Sequence, residues 1–186
     1  MSEIPSIETI KNHLKVIQDD VEISISKLND SSGEERGFYA RSYIRAYASW
    51  IEGSVWTYKT LVSRAEYKWH QELPIESQLF LFENDWRLSK SGAPKLTNRK
   101  IGAKDNLKGF FVVMSQIFDD FQVGFDGQEW EDVLFFYSIR DRLMHPNGSR
   151  SLDFPKCELK RCDDGRVWLL SQFSSLRCSI KAKVEA

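Results

Sequence analysis

At 186 residues, with 41% hydrophobic and 28% charged side chains, the chain is long enough to bury a core as a single domain without disulfide or metal staples, and too apolar for a disordered one. No apolar run approaches the roughly 20 residues that span a bilayer, and the N-terminus has no basic stretch followed by an apolar one to mark a secretory signal, so no membrane contact and a cytoplasmic location are expected. A net charge of −1 excludes a protein that coats nucleic acid through its overall charge.

The first predicted element is a helix over 6–28. Ile7, Ile10, Leu14, Ile17, Val21 and Leu28 recur at spacings of three, four or seven, and Pro5 with Ser6 supplies a start. That heptad-like stripe suits an internal core or a dimer seam equally. Residues 29–33 form a turn, and Ser32 followed by Glu35 is a capping-box pattern. A long second helix is predicted over 34–71, with Tyr39, Tyr43, Tyr47, Trp50, Ile51, Val55, Tyr58 and Leu61 on one broad face. Their strict helical spacing reads as core rather than as a platform for stacked bases, which needs exposed rings. Gly53 costs that helix about 1 kcal/mol relative to Ala, and is expected to allow a close helix crossing.

Pro74 ends the second helix, and a short helix over 78–88 carries Leu79, Phe82 and Trp86. From Arg87 to Lys104 there are six basic residues (Arg87, Lys90, Lys95, Arg99, Lys100 and Lys104) and no acidic one. The whole-chain charge of −1 includes these six, so the remainder is net −7. Gly92, Pro94 and Gly102 give this stretch loop or hairpin chemistry. It reads either as a solvated loop or as an RNA clamp, with Lys90, Lys95, Arg99, Lys100 and Lys104 as the candidate contacts.

Asp105 is the expected N-cap of a helix over 106–120 that buries Leu107, Phe111, Met114, Phe118 and Phe121. Asp126 and Glu129 open the next helix, which ends in Arg140-Asp141-Arg142-Leu143-Met144-His145-Pro146. Beyond Pro146-Asn147-Gly148, residues 157–161 and 166–170 flank Asp163-Asp164-Gly165, a hairpin signal, so a small β-hairpin is predicted over 156–171, with a last helix over 174–186. Three cysteines without paired spacing or a nearby His point to reduced thiols, with Cys157 and Cys162 on the strand pair, rather than to zinc ligands. His13 and His70 have no companions at metal spacing, and no metal or cofactor is expected. The elements add up to a mainly α bundle of about four to five helices with a small C-terminal hairpin.

The chemistry concentrates at the end of the late helix. On an ideal helix Arg140 and His145 lie five steps of about 100° apart, so they do not share a face. Pro146 disfavours the α conformation for the residue before it, which lets His145 swing toward the Arg140 side. Asp141 precedes His145 by four residues, where its carboxylate can accept the ring Nδ1 hydrogen. The negative end of the helix dipole attracts an imidazolium. A planar guanidinium suits a phosphate and an imidazole moves a proton, which is enough for RNA cleavage by 2′-OH attack without a metal. One His serves one proton transfer at a time, so two copies side by side supply acid, base and two Arg. The alternative is structural: Arg140 and Asp141 form an ion-pair network and His145 caps the helix.

The run RDRLMHP resembles the R-x4-6-H signature of the HEPN domains, with Arg140 first, the polar Asp141 second and His145 after four intervening positions. The strict match covers six residues, and the helical layout extends it loosely over most of the chain. The resemblance implies a HEPN-like helical bundle and a metal-independent endoribonuclease that dimerises through the motif helices. It also implies a place in prokaryotic toxin–antitoxin or antiphage defence, with an antitoxin or defence-system protein as partner. Catalytic roles carry over to Arg140, Asp141 and His145 alone. One branch of the family has a Tyr two residues after the His, which a partner nucleotidyltransferase modifies; Asn147 stands there in this chain. Other HEPN domains are binding modules, so a non-catalytic helical interaction or dimerisation module is the second reading.

Overall fold

Apolar side chains recurring every three or four residues build a mainly helical protein. The computed structural model describes residues 7–64, 67–145 and 152–185. The side chains of residues 7–11 and of Trp86 lie outside that description, as do the expected helix start at Pro5 and Ser6 and the turn at Pro146-Asn147-Gly148. In chain order the elements are α1 (Ile7–Asp30), α2 (Gly33–Val62), a 3₁₀ turn (Trp69–Glu72), α3 (Ile75–Leu81), β1 (Asn84–Leu88), β2 (Pro94–Asn98), α4 (Ala103–Ile117), α5 (Gln128–Met144) and α6 (Lys156–Glu185). No helix among the described residues is long and apolar enough to cross a membrane. Two compact units divide the chain: Met1–Ser54 with Gly124–Arg177, and Val55–Val123 with Cys178–Ala186.

In the first unit the aromatic face of α2 is core, as its spacing predicts. Tyr43, Tyr47, Trp50 and Ile51 are buried, Tyr47 packs on Phe136 of α5 with ring centroids 4.1 Å apart, and Trp50 meets Phe173 of α6 edge-on. Glycines set the helix crossings. A Cβ on Gly53 would come within 3.2 Å of the Ile17 side chain, so α2 passes close to α1 there. A Cβ on Gly165 would lie 3.0 Å from backbone atoms of Asp132 and Val133, so α6 crosses α5 nearly backbone to backbone. Beside that crossing the buried Asp132 carboxylate accepts from Gln128 and from Nε and Nη2 of Arg161, at 2.7–2.9 Å.

The crossing corrects the hairpin predicted over 156–171: those residues belong to α6. Asp163-Asp164-Gly165 has the composition of a turn, but Leu159, Cys162, Leu169, Phe173 and Leu176 around it are buried at helical spacing. The glycine is required by α5 rather than by a reversal of the chain. Cys157 and Cys162 are therefore free thiols on a helix, not on a strand pair.

The small antiparallel sheet lies instead in the second unit. β1 pairs with β2 in the register Asn84↔Asn98, Asp85↔Thr97, Trp86↔Leu96, Arg87↔Lys95 and Leu88↔Pro94. Ser89 opens its turn, and Gly92 supplies a φ of +78°, a conformation that favours glycine. The helix predicted over 78–88 thus stops at Leu81 and Trp86 sits in a strand. The second helix ends at Val62 instead of 71, and α4 starts at Ala103 behind Gly102, leaving Asp105 in its first turn. All five predicted core residues of that element, Leu107, Phe111, Met114, Phe118 and Phe121, are buried.

The base of the hairpin is tied to a buried cation. Lys59 of α2, its side chain 4% exposed, donates to the Glu83 carboxylate at 3.1 Å, to Asn106 of α4 at 2.6 Å and to the Phe80 carbonyl at 3.4 Å. Its ammonium also stands 4.1 Å from the centre of the Phe80 ring. Burial pushes the Lys59 pKa down, and the bond to Glu83 opposes that shift. Glu83 itself has φ +51°, and its carbonyl accepts the Arg99 N–H, closing the hairpin where it leaves the core.

Candidate active site at the end of α5

α5 is anchored by Trp130, Val133, Phe136, Tyr137, Ile139 and Leu143, all buried. That anchorage orients the residues between them. Arg140 is three-quarters buried, and its guanidinium is occupied by two carboxylates: Nη2 donates to Glu52 of α2 at 2.9 Å and Nη1 to its neighbour Asp141 at 3.2 Å. Arg142, two residues on, donates to Glu158 of α6 at 2.6 Å and lies over the Phe154 ring.

His145 is the C-cap of α5, with φ −126° and ψ 66°. It has left the α conformation, as expected for a residue that precedes a proline. Its N–H donates to the Asp141 carbonyl at 2.9 Å. Its ring is exposed and makes no hydrogen bond among the described residues. The Asp141 carboxylate is turned to Arg140, not to the imidazole. The link between Asp141 and His145 is therefore made by the backbone, and the side chains expected to bond to each other do not.

Sequence reasoning missed two members of this cluster. Glu52 stands 88 positions from Arg140, and no local spacing joins them. Tyr137 lies one turn before Arg140 on the same helix face. Its hydroxyl is buried and has no hydrogen-bond partner among the described residues. Burial foremost, and then the Glu52 charge, push its pKa up, while Arg140 pulls it down. The i, i+3 spacing of Tyr137 and Arg140 was the available signal.

The RNA-contact candidates all belong to the second unit. Lys90 is in the hairpin turn, Lys95 on β2, Arg99 and Lys100 just after it and Lys104 in the first turn of α4, and all five are exposed. His13 is exposed on α1, and His70 in the 3₁₀ turn meets the Phe82 ring edge-on. No group of three or more His, Cys, Asp or Glu among the described residues is placed to hold a metal ion. The chain matches no model of a known family, no curated protein and no solved structure.

Proposed function

We propose that this chain is a metal-independent endoribonuclease of HEPN type, a toxin or defence effector that works as a homodimer with Arg140 and His145 at the interface. The observation that carries this reading is the end of α5, where the R-x4-H spacing coincides with a helix terminus and the exposed His145 ring makes no hydrogen bond among the described residues. In the reaction a ribose 2′-oxygen loses its proton to a base and attacks the adjacent phosphorus. The O2′–P bond forms, the P–O5′ bond breaks, and an acid protonates the departing 5′-oxygen, leaving a 2′,3′-cyclic phosphate and a 5′-hydroxyl. His145 moves one of these protons, and the His145 of a second copy moves the other. Arg140 stabilises the charge that develops on the phosphorane through its fork of donors. Asp141 and Glu52 hold that guanidinium until a phosphate replaces them. Cytoplasmic RNA is the substrate, and an antitoxin or defence-system protein is the expected partner.

A second reading, a non-catalytic helical interaction module, draws on the same cluster: with two carboxylates on Arg140, the motif is already satisfied as a structural ion pair. An RNA cleavage assay separates the two. Wild type should cut RNA to cyclic-phosphate ends in EDTA, and His145→Ala should remove cutting by at least about a hundredfold, the usual worth of acid–base catalysis, with an unchanged melting temperature. Absence of cutting by the wild type on single-stranded and structured RNA alike, with His145→Ala altering oligomeric state instead, would establish the interaction module.

A further inference from the structure

The basic segment 87–104 carries six cations and no acid, and its first part is folded as a β-ribbon rather than an irregular loop. All six cations are exposed. Among the described residues, none of their side chains has an ion-pair or hydrogen-bond partner, whereas Lys59, Arg140, Arg142, Arg161 and Arg166 each hold a carboxylate. Arg87 and Lys95 are directly opposed across the ribbon, and like charges at opposed positions destabilise a strand pair. Asp85, two positions from Arg87 on the same strand face, is the one acid in that register. The repulsion is tolerated because the hairpin is closed at its base by the Arg99 N–H on Glu83 and fastened to the core through Lys59. A hydrogen-bonded base thus holds a ribbon whose cations have no carboxylate partner among the described residues.

We infer that the β1–β2 hairpin, with the Arg99–Lys104 segment that follows it, is a binding arm for the phosphate backbone of single-stranded RNA, with Arg87 and Lys95 as its paired centre. A polyanion fits because its phosphates supply several negative charges at short intervals and release counterions as each is neutralised. A single strand fits because its flexible backbone can follow a line of cations, the usual way in which a protein holds a single strand without sequence preference. The contacts are to charge rather than to base edges, so the arm contributes affinity with little sequence preference. This inference names the arm that holds the substrate of the proposed nuclease, and so rests on that reading.

The test is fluorescence anisotropy of a labelled single-stranded RNA with the full chain, carrying His145→Ala so that nothing is cut, across a salt series. Replacing Arg87, Lys95 and Arg99 together with Ser should weaken binding at least tenfold and flatten the dependence of log K on log salt by about 2, since each phosphate contact to a single strand contributes about 0.7. The three side chains are exposed, and an unchanged circular dichroism spectrum and melting temperature would show the fold intact. Equal affinity and equal slope in parent and triple variant would overturn the arm, as would tight binding to vesicles rich in phosphatidylserine with none to RNA. The two proposals fail separately. If the His145→Ala chain binds RNA through the arm but the wild type cuts none, the nuclease reading falls alone. If the wild type and the triple variant cut with the same kcat/KM, the arm falls alone.

Discussion

Arg140 of α5 and Glu52 of α2 form an ion pair at 2.9 Å, with side chains one-quarter and one-half exposed. At that exposure the pair contributes no more than about 1 kcal/mol to stability. Its larger consequence is for chemistry, since the carboxylate competes with any phosphate for the same guanidinium. Glu52→Ala should therefore lower the unfolding free energy by less than about 1 kcal/mol while RNA cleavage is kept or rises. Arg140→Ala should remove cleavage. If both substitutions leave cleavage equal to wild type, or if Glu52→Ala abolishes it, Arg140 is not the phosphate-binding group.

Two glycines predict opposite signs for one substitution. Each sits inside a helix, where Ala is intrinsically better than Gly by about 1 kcal/mol. At Gly37 the nearest obstacle to a Cβ is Nη1 of the Arg41 side chain, which can move, so Gly37→Ala should stabilise the protein. At Gly165 the obstacle is the α5 backbone at Asp132 and Val133, 3.0 Å away. Gly165→Ala should destabilise by about 1–3 kcal/mol, the usual cost of overpacking. Urea denaturation of the two variants reads both signs, and a stabilised Gly165→Ala would show that α6 and α5 are not in such close contact.

Cys162 is fully buried, and burial foremost, with Glu158 adding to it, pushes its thiol up to about 12 from an ordinary value of 9.0. The unfolded chain thus sheds this proton first. Stability from the neutral thiol is present in full below about pH 9 and is lost as the pH rises toward 12, by at most about 1.4 kcal/mol per pH unit. Tyr43, Tyr47 and Tyr137, raised chiefly by burial, act in the same direction, and Lys59, lowered by burial, acts against them. The fall in unfolding free energy between about pH 8 and 11 should be shallower in Cys162→Ala than in wild type. Parallel curves would show the thiol to be reachable by solvent. A thiol reagent should find the exposed Cys157 and Cys178 in the native state and Cys162 only in denaturant.

What was legible in the sequence followed from local periodicity. The aromatic face of α2, the buried set of α4 and the helix that ends at the R-x4-H motif all rest on residues three and four apart, a spacing that works without knowledge of the partner. The break at His145 was equally local, because a following proline restricts its neighbour wherever it stands. What the tertiary structure decided was which meaning an ambiguous residue takes. Gly165 behind two aspartates carries turn chemistry, and only the backbone of α5 against it makes it a helix-crossing glycine. Lys59 looks like one more solvated cation until Glu83, Asn106 and Phe80 surround it. Asp141 was placed by spacing to orient His145, but a guanidinium fixed from the other side by Glu52 takes the carboxylate instead. In each case the deciding partner lies far along the chain or on another helix, and a one-dimensional pattern contains the periods of an element but not the charges and surfaces that will face it.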